Sequence, residues 1–171
     1  MLVNNFAVLE SKYGNLIINR YCALQAEAIV KTGSTHIEDE LKKIEIIVNS
    51  LTENSVVVDG GANAGLVTVP IAQWIKQKNG KVISFEPQRM LFYALGGTIA
   101  LNDLENVFLH NQGLSDIHGL ATLPEINYGS PSDFGQVKLD ASQEYKEAPG
   151  MLNRTVEVIT LDSLNLERLD F

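Results

Sequence analysis

The stretch Val56-Val57-Val58-Asp59-Gly60-Gly61-Ala62-Asn63-Ala64-Gly65 constrains the fold more than any other part of this chain. An apolar run of β-branched residues ends in an acid, then in a glycine-rich turn, then in a segment with helical character. Strand, tight loop and helix N-terminus in that order are how parallel α/β folds approach a nucleotide-like ligand. Gly60, Gly61 and Gly65 permit backbone angles and close approaches that side chains would block. Asp59 stands at the strand end, on the sheet edge where such ligands bind. The dinucleotide pattern G-x-G-x-x-G would need a glycine at position 62, which is Ala62.

A second stretch, Lys81-Val82-Ile83-Ser84-Phe85-Glu86-Pro87, is again a short strand closed by an acid. In a βαβ unit, an acid at the end of the second strand can accept hydrogen bonds from both ribose hydroxyls. The two stretches are one helix apart, as a parallel crossover requires.

The glycine motif, with its acid inside the Asp59-x-Gly61-x-x-x-Gly65 spacing, looks like the first motif of S-adenosylmethionine-dependent methyltransferases. Together with Phe85-Glu86-Pro87 it resembles the FkbM family. The resemblance runs on through Ile99-Ala100-Leu101-Asn102, Asn106-Val107, Leu114-Ser115-Asp116 and Thr160-Leu161-Asp162-Ser163-Leu164, covering most of the chain from about residue 53. It implies an α/β fold of the Rossmann-like class I methyltransferase type. It implies S-adenosylmethionine as cofactor and O-methylation of a hydroxyl on a small molecule or sugar. Asp59, Gly61, Asn63 and Gly65 fall on the methionine side of the cofactor and Glu86 on the ribose. Gln112, in Asn111-Gln112-Gly113, falls beside the adenine, Gly113 letting the backbone approach it. Structural readings stand beside these: Asp59 as an organiser of the glycine loop, Glu86 as a surface acid, Gln112 as part of a polar turn.

The rest of the chain is read around that core. Phe6-Ala7-Val8-Leu9 and Leu16-Ile17-Ile18 flank Tyr13-Gly14-Asn15, which suggests a β-hairpin. Tyr21 to Ile29 reads as a short helix or irregular chain. Ser34 or Thr35 is a candidate cap for a helix from His36 to about Leu51, with Ile37, Leu41, Ile44, Ile47 and Val48 at helical spacing. Glu38, Asp39 and Glu40 match the dipole of its first turn; the alternative is that the helix closes over the cofactor with one acid facing it. Strands are expected at 55–59, 82–86 and 107–111, and helices at about 66–77 and 89–101. Pro70 is tolerable only in a first turn. Leu91, Ala94, Leu95, Thr98 and Leu101 form the buried face of the second helix. Gly96-Gly97 inside it costs about 1 kcal/mol per glycine relative to alanine, in exchange for close packing or for none. Ala121-Thr122-Leu123, Gln136-Val137-Lys138-Leu139 and Thr155 to Thr160 read as strands. Gly129-Ser130-Pro131-Ser132 and Ala148-Pro149-Gly150 read as turns. The region Gly119 to Asn153 is one that varies in the resembled family and helps form its acceptor site. Asp133-Phe134-Gly135 spells a kinase tripeptide in surroundings that are otherwise not kinase-like.

Residues 1–52 are read as a hairpin and helix packing on a cofactor-binding core at 53–171. In the resembled family, the Asp170-Phe171 position leads into a further parallel strand, so the sequence looks like the cofactor-binding front of a methyltransferase, short at its C-terminus. The strand 56–59 is then expected to show one unpaired edge, a hazard that a homo-oligomer could cover.

Composition narrows the partners. Of 171 residues, 45% are hydrophobic and 20% charged, with a formal net charge of −8, which disfavours phosphate backbones and anionic lipid. Neither nucleic acid nor a membrane is expected as a partner. Cys22 is the single cysteine, so no internal disulfide forms. The N-terminus lacks a basic start and a long apolar core, and the reading is a cytoplasmic protein. The sequon Asn153-Arg154-Thr155 is taken as chance. His36, His110 and His118 are far apart, and no Cys/His/carboxylate cluster has metal-ligand spacing; His110 reads as a core residue. No general base is identified for the transfer. Two other functions are open: a cofactor-binding remnant without turnover, and a nicotinamide-type Rossmann oxidoreductase, against which Ala62 and Asp59 count.

Overall fold

The computed structural model describes residues 4–124, 126–137 and 154–171 of the chain. Strands β1 (Phe6–Ser11) and β2 (Gly14–Asn19) form the expected antiparallel hairpin, Phe6 facing Asn19 and Ser11 facing Gly14. Gly14 turns it with φ +121°, and a Cβ there would lie 2.2 Å from Asn102 Oδ1. Helix α1 (Ala23–Thr32) follows and ends on Gly33 in the left-handed region, a common helix stop. Helix α2 is Glu38–Asn49.

The start of α2 corrects one expectation. Neither Ser34 nor Thr35 caps it: Ile37 occupies the cap position and makes no side-chain cap bond. The Thr35 hydroxyl is buried without a partner. Ser34 instead donates its hydroxyl to Glu38, which also takes Lys12 and Tyr13. Glu38 therefore ties the helix to the hairpin, and Asp39 pairs with Lys42, so neither of these acids is turned to a cofactor. Leu41 and Val48 are buried, whereas Ile46 and Ile47 are exposed.

The centre is a parallel sheet of β3 (Val56–Gly60), β4 (Lys81–Phe85) and β5 (Val107–His110) in that order, linked by α3 (Thr68–Lys76) and α4 (Arg89–Leu101). This α/β arrangement is Rossmann-like. Side chains alternate across it. On one face Val57 and Val82 pack with Val69, Ala72 and Ile75 of α3 and with Leu95 and Ile99 of α4. Leu16 and Ile18 of the hairpin, Ile29 and Val48 belong to the same core. On the other face Val56, Ile83 and Phe85 pack with Ile159, Leu114, Leu164 and Leu166. Pro70 lies in the first turn of α3, where its missing N–H costs nothing.

Two details of α4 differ from the sequence reading. Ile99 rather than Leu101 completes its buried face, and Leu101 is exposed. The two glycines are not equivalent. A Cβ at Gly97 would stand 2.5 Å from Ile17 Cδ1, whereas one at Gly96 would meet nothing nearer than 3.8 Å. Only Gly97 is explained by close packing against β2.

Beyond β5 the chain adds β6 (Gly113–Leu114), β7 (Gly119–Leu123) and β8 (Arg154–Ile159), with β8 central: parallel to β6 and antiparallel to β7. Phe134–Gln136 is a short 3-10 turn rather than the start of a strand. Lys138, Leu139, the turn Ala148-Pro149-Gly150 and Asn153 of the sequon lie outside the described residues. The edge of β3 expected to be unpaired is partly paired. Asp170 N donates to Val56 O and Val58 N donates to Phe171 O, both at 2.9 Å. Asp170 also accepts from Val56 N, and its bond to Arg168 holds its carboxyl below the usual carboxylate range. No helix among the described residues is long and apolar enough to cross a membrane.

Candidate functional site

The C-terminal ends of β3 and β4 bring together the two acids singled out by sequence, with the glycine loop between them. Phe85 O accepts from both Gly61 N and Ala62 N at 2.9 Å. Glu86 continues the lacing: Oε2 accepts from Asn63 N at 2.8 Å and Oε1 from Gln88 N at 2.7 Å. The loop is thus stitched to the end of the neighbouring strand, which places Asn63 at φ 51° and Gly61 at φ +86°. Gly61 is exposed with open space where a Cβ would stand, so it forms an unobstructed floor. Gly65 has φ +95°, and a Cβ there would press on Leu95 Cδ1 at 3.0 Å. Its role is close packing of the loop onto α4.

Glu86 is not a surface acid: it is 3% exposed. Burial pushes its carboxyl above the usual range, the two backbone amides pull it back, and nearby Asp59 pushes it up further. A carboxylate offers about four acceptor positions. The two amides fill two, leaving capacity for hydroxyl donors once the group is reached.

Asp59 accepts the Thr68 hydroxyl at 2.5 Å, and that hydroxyl lies 3.2 Å from Ser84 Oγ. Burial raises its carboxyl and the Thr68 bond opposes the rise. Asp59 therefore anchors the first turn of α3 through a side chain rather than through loop amides. Thr68 and Ser84 escaped the sequence reading. Their only signal was polarity at positions where the pattern calls for apolar residues: Thr68 in the first turn of α3, Ser84 in the middle of β4, both fully buried.

The Gln112 amide donates to Glu157 of β8 at 2.7 Å. Its neighbour Asn111 is the one that reaches back, donating to Glu86 O at 2.8 Å and Pro87 O at 3.3 Å. His110, half-buried, stacks on Phe85 with ring centroids 4.7 Å apart, in keeping with a core role. Among the described residues no group of His, Cys, Asp and Glu could hold a metal ion.

Gln88 was not anticipated. It is buried, and both ends of its amide are used: Nε2 donates to Phe134 O at 2.7 Å, and Oε1 accepts from Tyr128 OH at 3.1 Å. The segment 126–137 thereby becomes a strap fastened to the tripeptide Glu86-Pro87-Gln88 that follows β4. Phe134, set aside as part of a chance tripeptide, is 1% exposed and packs with Cys22 and Leu91. A Cβ at Gly135 would lie 3.2 Å from Asn63 Nδ2, so the strap passes against the glycine loop.

The residues present fit S-adenosylmethionine. Two desolvated carboxylates complement a cation and ribose hydroxyls, and a glycine with φ beyond the reach of most side chains keeps the floor clear. Asp59, Gly61, Asn63 and Gly65 would hold the methionine part and Glu86 the ribose.

The chain matches no protein-family model and no curated protein. Solved structures do resemble it. One is P. horikoshii TYW2 in complex with MeSAdo, 17% identical over 66% of this chain and 38% of that one, with a TM-score of 0.45. A second is a SAM-dependent O-methyltransferase from Thermotoga maritima, 17% identical over 62% and 40%, TM-score 0.41. A third is a SAM-dependent methyltransferase from Agrobacterium tumefaciens, 10% identical over 66% and 34%, TM-score 0.45. The chain spans between 34% and 40% of the length of these three. None of them is named for the FkbM family.

Proposed function

We propose that this chain binds S-adenosylmethionine and belongs to a methyltransferase of FkbM type that methylates a hydroxyl on a small molecule or sugar. The observation that carries the reading is a pair of acids, buried Glu86 and half-buried Asp59, at the ends of adjacent parallel strands on either side of a loop with left-handed Gly61 and Asn63. A nicotinamide cofactor would use the acid at Glu86 equally well. It offers no sulfonium or ammonium cation to the second acid, Asp59, whose carboxyl burial raises and which such a cation complements.

When bound, the cofactor supplies an electrophilic methyl group on a positively charged sulfur. The chain's part is to hold donor and acceptor in line. Asp59, fixed by Thr68, sets negative charge beside the methionine end. Glu86 fixes the ribose while bracing the loop at Asn63. The net charge of −8 disfavours a polyanionic acceptor.

Thermal shift tests the reading, because a ligand that binds only the folded chain raises its melting temperature. S-adenosylhomocysteine should raise it and NAD should not; the reverse result would replace this reading with that of an oxidoreductase. Binding without methyl transfer to any hydroxylated acceptor would leave a cofactor-binding module.

A further inference from the structure

Glu86 poses a problem of access. It is 3% exposed, so no ribose hydroxyl reaches its free acceptor positions while the chain keeps this arrangement. The polar contacts around it come from four directions. Asn63 N and Gln88 N bind its carboxylate. His110 O accepts its backbone N–H. Asn111 Nδ2 binds its carbonyl. Of these partners, Asn63 belongs to the glycine loop, His110 to the end of β5, and Asn111 is the residue after it. Gln88 alone also reaches into the irregular strap.

Other bonds also hold the strap. Tyr128 O accepts from Asn19 Nδ2 at 3.0 Å, and Ser132 N donates to Tyr21 O at 3.3 Å. Phe134 sits in the small cluster with Cys22, Leu91, Phe6, Tyr21, Ile126 and Tyr128. Gln88 bridges two points of the strap six residues apart with one amide, while its own N–H binds the Glu86 carboxylate.

We infer that Gln88 is the latch of a lid. It holds the 126–137 strap against Asn63 of the glycine loop, with Glu86 closed off from solvent, and the cofactor enters and leaves when the strap lifts. The inference rests on the cofactor reading above. Gln88 is on this view a positioning residue, acting through the strap. Its backbone bond to Glu86 links the latch to the carboxylate that the ribose needs.

The test is Gln88→Met, which keeps the length and removes both amide bonds. In the ligand-free chain, amides of the strap should exchange at least about tenfold faster, with those of α2 unchanged. In rapid mixing with S-adenosylhomocysteine, association and dissociation should both quicken by about tenfold, since entry through a rarely open lid scales with the open fraction. Tyr128→Phe, which removes one of the two bonds, should shift both rates in the same direction by less, and it serves if Gln88→Met folds poorly. A merely structural glutamine would change stability and leave the association rate where it was. Unchanged strap exchange, or faster exchange with an unchanged or slower association rate, overturns the latch. If neither wild type nor variant binds S-adenosylhomocysteine, the cofactor reading fails and the lid with it. The exchange result then decides only whether Gln88 anchors the strap.

Discussion

Replacing Glu86 with alanine tests whether this acid braces the loop as well as facing a ligand. The carboxylate accepts two backbone N–H groups, Asn63 N at 2.8 Å and Gln88 N at 2.7 Å. Truncation leaves both donors without a partner in a buried place, at about 1–3 kcal/mol each. The gross cost is therefore about 2–6 kcal/mol. Two effects offset it: relief of a desolvated charge that Asp59 repels, and water entering the space to meet the amides. A net loss of about 2–3 kcal/mol is expected, which lowers the melting temperature of a chain this size by about 4–12 °C. The pH dependence gives a second handle. Burial raises the Glu86 carboxyl above its ordinary value. Its contribution to stability is thus fully present below the unfolded carboxylate range and is lost as pH rises through the folded value. The gap between wild type and Glu86→Ala should be widest below the ordinary carboxylate range and narrow as pH rises through the folded value, as read by thermal melts across pH. A variant as stable as wild type would refute the bracing argument, and a gap that widens with pH would refute the raised carboxyl, showing that the two amide bonds outweigh burial. The same logic governs binding studies: loss of cofactor in Glu86→Ala reports the loop and the ribose contact together. Glu86→Gln, which keeps one acceptor oxygen for the amides, is the better comparison.

Three further outcomes follow from the geometry. Gly96→Ala should stabilise the chain by about 0.5–1 kcal/mol, the helix gain with open space around it. Gly97→Ala should destabilise it by about 1 kcal/mol as Ile17 is displaced; equal gains in urea unfolding would mean that α4 does not pack on β2 as described. Gly61→Ala, at φ +86° with nothing nearby to clash, should cost about 1–2 kcal/mol through backbone strain alone, and Gly61→Asn less; an unchanged urea midpoint for Gly61→Ala would contradict the left-handed conformation. Asp59 and Glu86 both have raised carboxyls, and a cationic ligand favours their charged forms. Affinity for S-adenosylmethionine should therefore rise with pH from the ordinary carboxylate range through their folded values, with proton release seen as buffer-dependent heat in calorimetry. Affinity falling over that range would count against a cation between the two acids.

The hairpin, the three parallel strands, α3 with Pro70 in its first turn, α4, and the two acids at adjacent strand ends were legible in the residues alone. Those features are written in short-range terms: β-branched runs, glycine turns, helical spacing, one acid closing each strand. They survive transfer to the structure because backbone geometry is local. Where the side chains turn was settled by long-range packing. Glu86 turns inward to Asn63 and Gln88, Asp59 turns to Thr68, and Gln112 turns to Glu157, 45 residues away in sequence. Gln88 meets Phe134 46 residues on, and Asp170 and Phe171 reach the edge of β3 more than a hundred residues back. No periodicity encodes such pairs. They follow from burial: a polar group taken out of water must find its partner among whatever the folded chain brings near. That pairing depends on the packing of the whole chain and not on the residues beside it.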